Sequence, residues 1–210
     1  MIIAVDGPAA SGKGTIARAL AAVFSLPYLD TGLLYRAVGI ATLRAGGDPQ
    51  NAQDALASCG FSEAMLHDPD IRTEAASRAA SMVSAHQIVR DKLLARQQNF
   101  ASQPVGAVLD GRDIGSVIAP HADAKLFVTA TAETRAARRT NELTANGMNV
   151  EFAHVLVDIK ARDERDASRS AAPLRQAEDA DLLDTTDMSI EEAVQQAIRL
   201  VTARLSRRQK

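Results

Sequence analysis

The sequence predicts an α/β fold in which a parallel sheet is covered by helices on both faces. Three observations carry this. Short apolar runs alternate with stretches of helical periodicity. The first run, Ile2-Ile3-Ala4-Val5, is wholly apolar, as in a strand buried on both faces. A glycine-rich turn joins that run to the first helix.

In chain order, the first helix carries the apolar stripe Ile16, Leu20, Val23 and Phe24. Leu26 to Leu29 reads as a second short strand. Leu34, Ala37, Val38 and Ala41 form a second helical stripe, ended by Gly46-Gly47-Asp48-Pro49. Residues 49–70 are polar and turn-rich, with weak helical pattern at Ala52 to Leu56. An alanine-rich helical region runs from about Arg72 to Phe100, with Ala75, Ala79, Met82, Val83, Leu93 and Leu94 inward. Val105 to Leu109 and Lys125 to Ala130 read as strands, and Leu182-Leu183 as a short buried one. Ser189 and Glu192 form a capping box, opening a last helix with Val194, Ala197, Ile198, Val201 and Leu205 inside.

A chain of 210 residues suits a single domain, 1–210, large enough to bury about 70% of its unfolded surface without metal or disulfide staples. Its one cysteine, Cys59, has no thiol or histidine at ligand spacing and reads as inert. A net charge of −2 and only 7 aromatic residues argue against a nucleic-acid-binding surface. No stretch approaches the ~20 apolar residues of a membrane span. The N-terminus begins as a strand rather than a signal peptide, so the cytoplasm is the expected location. Arginine supplies 19 of the 24 basic residues. That fits bidentate phosphate clamps, and fits equally a GC-rich coding bias.

Gly7-Pro8-Ala9-Ala10-Ser11-Gly12-Lys13 lies between the first strand and the first helix, the context of a phosphate-binding loop. Glycines let backbone N–H groups turn toward phosphate oxygens, and the helix N-terminus adds partial positive charge. Lys13 is placed to reach the outer phosphates. The usual Ser or Thr after the lysine, which holds Mg²⁺, is Gly14 here, with Thr15 next. The Gly-Lys-Gly-Thr ending resembles nucleoside monophosphate kinases rather than GTPases. Mg²⁺ is then expected on phosphate oxygens and water, with no direct protein ligand. Asp110 and Asp6 read equally well as carboxylates near the metal and as turn formers.

Three further clusters suggest an acceptor site for an anion. Asp30, Thr31 and Arg36 sit where a strand passes into a helix, which is also the position of an N-cap. Arg112 and Asp113 follow an apolar strand, at the end where parallel sheets bind ligands. Val155, Ile159, Arg162, Asp166 and Arg169 step by helical spacing and turn from apolar to charged along one face, while Glu164 and Arg165 fall on other faces. Arg135, Arg138 and Arg139 follow the fourth strand and suit either a triphosphate or a solvated surface. His67, His86, His121 and His154 fall in no motif. These residues alone leave CMP, AMP, shikimate and dephospho-coenzyme A open as acceptors. A regulatory NTPase is disfavoured, because no Asn-Lys-x-Asp base-reading motif is present.

Across nearly the whole chain the sequence resembles bacterial cytidylate kinases. The segments that carry this are Gly7 to Thr15, Asp30 to Arg36, Ile71 to Phe100, Asp110 to Gly115, Lys160 to Pro173 and Asp181 to Thr185. The resemblance implies a P-loop NTPase fold with a five-stranded parallel sheet flanked by helices on both faces. It also implies an acceptor-binding excursion at about 36–100 and a lid at about 135–170. The implied reaction is transfer of the γ-phosphoryl group of ATP to CMP or dCMP, with Mg²⁺, by a monomer. By matching motif positions, Arg36, Arg112 and Arg169 hold the acceptor phosphate, with Arg162 and Asp166 at the sugar or nearby phosphate. Ser81, Arg90 and Asp113 read cytosine. Asp30 and Thr31 border the CMP site, and Arg135 and Arg139 border the ATP phosphates. Lys13, Arg112, Arg162 and Arg169 carry the catalytic charge. Many members of that family have a larger insert with small strands before the Ile71 helix; residues 49–70 look abbreviated.

Overall fold

A computed structural model describes residues 1–208 of the chain. Five parallel strands form one sheet in the order β2-β3-β1-β4-β5. They are β1 (Ile2–Asp6), β2 (Tyr28–Asp30), β3 (Ala107–Gly111), β4 (Ala124–Thr129) and β5 (Asp181–Asp184). β1 lies at the centre, with Ile3 opposite Val108 on one side and Ala124 on the other. Period-two alternation divides the core into two layers. Ile3, Val5, Val108, Leu126 and Val128 face one way, under α1 (Lys13–Val23) and α8 (Ile190–Arg208). Ala4, Ala107 and Leu109 face the other way, against a π-helical turn, Ile114–Ile118. The expectation of one α/β sheet buried on both faces holds.

Several expected details shift. The α1 stripe holds at Ile16 and Leu20, but Val23 is exposed, because the chain turns away from the sheet after it. In β5 only Leu183 is buried; Leu182 is 54% exposed, since β5 is an edge strand with β4 as its one neighbour. The alanine-rich region is two helices, α4 (Glu74–Val83) and α5 (Gln87–Ala101). Ser84 caps the first by donating to the Ser81 carbonyl at 3.2 Å. His86 has an extended backbone, and its Nε2 lies 3.0 Å from the Pro49 carbonyl. Within α4, Ala76 and Ala80 are buried and Ala75 is exposed. The capping box forms as expected: Ser189 N–H donates to Glu192 at 2.9 Å and Glu192 N–H to Ser189 Oγ at 3.2 Å.

Two smaller packing units stand over the carboxyl ends of the strands. In one, α2 (Thr31–Arg44), α4 and α5 share Leu34, Val38, Val83, Val89 and Leu93. Residues 49–70 bring no strand to this unit, only α3 (Ala52–Ala57) and short 3₁₀ turns. The other unit pairs α6 (Ala132–Ala145) with α7 (Phe152–Ser168) through Ala136, Leu143, Val155 and Ile159. No described helix is long and apolar enough to cross a membrane.

Close contact between α2 and α4 depends on Gly39. A Cβ there would stand 2.7 Å from the Ala79 Cβ and 3.0 Å from Ala79 backbone, so the helices would have to separate. Gly39→Ala is expected to destabilise the fold by about 1–3 kcal/mol, as overpacking does, read from the denaturant midpoint. An unchanged midpoint would show that α2 and α4 slide freely.

Candidate active site

Every functional cluster of the sequence falls at the carboxyl ends of the strands, beside the central strand where the chain order reverses. One cavity of about 750 Å³ lies there. β1 ends at Asp6 and leads into the phosphate loop. The loop needs glycine at 7: φ is +155°, and a Cβ would run into the Val128 carbonyl oxygen. Ala10 (φ 58°) and Gly12 (φ 87°) are left-handed, the alternation that turns successive N–H groups inward as an anion nest. Lys13 opens α1, and its Nζ is 3.4 Å from the Pro8 carbonyl. Ser11 is fully buried and its hydroxyl has no partner.

Charge is concentrated around Lys13. Burial, aided by Arg112 and opposed by Asp110 and Asp30, pushes its pKa down to about 8. Burial, aided again by Arg112, pushes Arg162 down to about 9. Burial and the Asp30 charge lift Asp110 to about 6, against Lys13 and a hydrogen bond from Tyr28. The protein therefore holds cations in a space where water cannot solvate them fully, a setting that favours a polyanion.

Asp166 organises these cations. Arg112 Nε donates to it at 2.6 Å, and Arg169 Nη1 lies 3.9 Å away. Burial raises the Asp166 pKa, but Arg112 and Arg162 outweigh it and hold the carboxyl below its usual range. Arg162 donates to Ser77 Oγ at 2.9 Å, leaving its Nε without a partner, and Arg169 Nη2 is likewise unpartnered. The stripe on α7 is present, with Val155 and Ile159 buried below Arg162 and Asp166. Arg169 is the extended C-cap residue rather than part of the helix, and its Nε is held by the Ala172 carbonyl at 2.7 Å. Arg165, expected on another face, lines the cavity too; it is one turn from Arg162, and the open face is wider than a single stripe. Arg36 also lines it, with Nη1 3.3 Å from the Ile71 carbonyl.

At the far end, Arg90 and Asp113 form a buried ion pair. Ser81, 5% exposed, has a hydroxyl without a partner, and all three line the cavity. Asp113 is placed by Asp6, whose two oxygens each accept a 2.8 Å bond, from Ile114 N–H and Gly115 N–H. Burial lifts Asp6 to about 7, against those two bonds. Asp6 thus acts as a scaffold for the turn.

Other expected residues serve the frame. Thr31 donates its hydroxyl to the Asp110 carbonyl at 2.8 Å and is 3% exposed, and it lines the cavity. Asp30 N-caps α2 through Gly32 N–H at 2.9 Å while lining the cavity. Arg135 is buried behind the phosphate loop, bonded to Asp163 at 2.6 and 3.0 Å and to the Ala9 carbonyl at 3.3 Å. Arg138 holds Thr185. Arg139 reaches the cavity, paired with Glu142 and, across the cleft, with Glu74. Thr15 is exposed. The sequence reading passed over Glu74 and Ser77, although steps of three and four place them on the α4 face that carries Ser81. Of the histidines, His154 lies at the cavity edge, 82% exposed. Cys59 donates to the Ala55 carbonyl at 3.4 Å, and burial raises its pKa.

The Lys13 shift has a signed consequence. Between about pH 8 and its unfolded value of 10.5, the unfolded chain holds a proton that the folded one has released, so Lys13 makes stability rise with pH there. Lys13→Met removes this dependence. The variant is expected to exceed the parent in unfolding free energy at pH 7, by a margin that narrows toward pH 10. Parallel denaturant melts at the two pH values measure it; a constant difference would contradict the assignment.

Comparison with known proteins gives the family. The profile of the family described as Cytidylate kinase matches residues 3–203. A protein from Xanthobacter autotrophicus named Cytidylate kinase is 54% identical over 204 residues, covering 97% of this chain and 98% of that protein. One of the same name from a Bradyrhizobium species is 51% identical over 211 residues, covering all of both chains. Among solved structures, an uncharacterized protein from Eubacterium ventriosum aligns with a TM-score of 0.60 at 16% identity, over 97% of this chain and 98% of that one. A sugar kinase from a Janibacter species aligns with a TM-score of 0.51 at 14% identity, over 97% and 95%; these two share the fold. By profile and by identity over its whole length, the chain belongs to the cytidylate kinase family.

Proposed function

We propose that this chain transfers the γ-phosphoryl group of ATP to the phosphate of CMP, and also of dCMP, giving ADP and CDP or dCDP. One observation carries the reading. The phosphate-loop residues Ala9, Ala10, Lys13 and Gly14 and the polar group Ser81, Arg90 and Asp113 line one cavity, together with Arg36, Arg112, Arg162 and Arg169. The family relationship supplies the nucleotide class.

The residues act by position and charge, as phosphoryl transfer requires. Two unit charges 4 Å apart repel by about 4 kcal/mol at an effective dielectric of 20, and here two phosphate groups must meet. Lys13 and the loop N–H groups hold the donor. Arg36, Arg112 and Arg169 hold the acceptor phosphate, and Arg162 lies where both can use it. The free valences of Arg162 Nε and Arg169 Nη2 support this, since buried donors without partners are rare. No protein nucleophile or base is needed, because the acceptor phosphate is already ionised. The excursion at about 36–100 and the lid at about 135–170 are the two walls of this cleft.

The donor is handled with Mg²⁺. Its fit is tested by the donor set. Asp30 and Asp110 line the cavity together near Lys13, and these carboxylates would hold the water shell of a cation that arrives with the donor phosphates. When bound, the ion would neutralise charge on the transferring group.

A coupled ADP-release assay across nucleoside monophosphates tests the reading: CMP is expected to dominate, and ADP release at full rate without acceptor would replace it with nucleotide hydrolysis. Lys13→Ala is expected to leave the fold intact and nearly abolish turnover; turnover within tenfold of the parent would sink its role.

Base choice has its own test. Cytosine offers an amino donor at position 4 and an acceptor at N3, where uracil has the reverse. Asp113 accepts, Arg90 donates and Ser81 does either. Each mismatched buried polar group costs roughly 1–3 kcal/mol, so two mismatches favour CMP over UMP by about 10²-fold or more. Asp113→Asn is expected to erode the ratio of kcat/KM for CMP and UMP. An unchanged ratio would leave Asp113 as a partner of Arg90 alone.

A further inference from the structure

Gly14 removes from the phosphate loop the hydroxyl that a Ser or Thr would point toward the metal, yet the space above it is polar. A Cβ at Gly14 would stand 3.7 Å from the Tyr28 hydroxyl, 3.7 Å from Asp110 Oδ2 and 3.7 Å from Arg18 Nη1. Three elements supply these atoms: β2, β3 and the second turn of α1. The Tyr28 hydroxyl donates to Asp110 Oδ1 at 2.7 Å, and the Arg18 guanidinium lies 5.9 Å from the Tyr28 ring centre.

The sheet register explains why a tyrosine is needed. Asp30 pairs with Asp110, and Tyr28 pairs with Val108, so Tyr28 begins one pleat behind the carboxylate. Only a long side chain from that position brings a hydroxyl forward to Asp110. A Cβ at position 14 would meet the ring tip only in ordinary van der Waals contact, so the hydroxyl and position 14 face the same small space. Burial, with the charge of Asp110 beside it, raises the phenol's pKa, so the hydroxyl remains a donor at any physiological pH. It fixes Oδ1 and leaves Oδ2 turned toward the loop.

We infer that Tyr28 supplies, from the neighbouring strand, the hydroxyl that glycine at position 14 withholds. It is a positioning residue that holds Asp110 with Oδ2 facing the water shell of the metal that accompanies the donor. The inference rests on the kinase reading above, and it makes Gly14 and Tyr28 one coupled unit: a large donor on β2 and an empty position on the loop.

A double-mutant cycle tests the coupling. The measured quantity is the dissociation constant of Mn²⁺ from the protein bound to a non-hydrolysable ATP analogue, followed by electron paramagnetic resonance. Tyr28→Phe, which keeps the ring, is expected to weaken Mn²⁺ by about tenfold, the effect of losing a hydrogen bond to a charged group. Metal-free binding of the analogue is expected to be unchanged, which also reports that the variant is folded. Gly14→Ser alone is expected to alter Mn²⁺ affinity less than about threefold, whereas in the Tyr28→Phe background it restores most of the loss. Equal Gly14→Ser effects in both backgrounds, or unchanged Mn²⁺ affinity in Tyr28→Phe, would overturn the inference. Parent protein that binds no Mn²⁺ with the analogue would overturn the kinase reading along with it. Parent protein that binds the ion but shows no coupling would overturn Tyr28's role alone.

Discussion

The Asp166 carboxylate is what lets so many guanidinium groups share one cavity. Arg112 comes from the end of β3, Arg162 from the body of α7, and Arg169 from the chain beyond it; all three face Asp166. Without a central anion, these groups would repel one another in a space too dry to screen them. Breaking a buried ion pair by removing one partner typically costs 3–5 kcal/mol, and here one loss would release several cations at once. The apolar beginning of α7 follows from the same requirement. Val155 and Ile159 bury the helix against α6, and that anchorage carries Asp166 to its place.

The cavity is nevertheless left undercompensated. Lys13 and Arg162 hold their protons less firmly than usual, and two arginine nitrogens have no partner. A protein built only for stability would pair these groups or replace them with apolar ones. The strain is confined to a region held by rigid supports: Asp6 braces the turn after Arg112 and Asp113, and Arg135 with Asp163 braces the phosphate loop from behind. Preorganisation of this kind lets charge be stabilised without rearrangement during reaction.

Much of this was legible in the sequence, and the failures have physical causes. The phosphate loop could be read because its glycine spacing is imposed by backbone geometry. The α7 stripe could be read because helical periodicity continued across a change from apolar to charged residues. Side chains that look the same in sequence but differ in service could not be sorted. Thr31, Asp30 and Arg135 each suited a ligand; Thr31 and Asp30 line the cavity, whereas Asp163, distant in sequence, claims Arg135. The break between α4 and α5 was hidden because Ser84, Ala85 and His86 carry no strong breaker; Pro49, on a remote loop, receives His86 there. Asp6 read ambiguously because its role depends on two N–H groups more than a hundred residues away.

The contacts of α4 with the α6–α7 unit bear on how tightly any phosphate compound can be held. Arg139 is paired with Glu74, so this cation already has an internal anionic ligand. A phosphate that approached Arg139 would exchange one oxygen ligand for another instead of meeting a bare cation. Its net gain is the difference between two interactions, smaller than either. An internal ligand that waits nearby would also recapture that arginine as a phosphate departed, which would shorten the residence of a spent nucleotide. Moderate grip on ground states, with full use of charge only at the moment of transfer, is the distribution of affinity that favours turnover over retention.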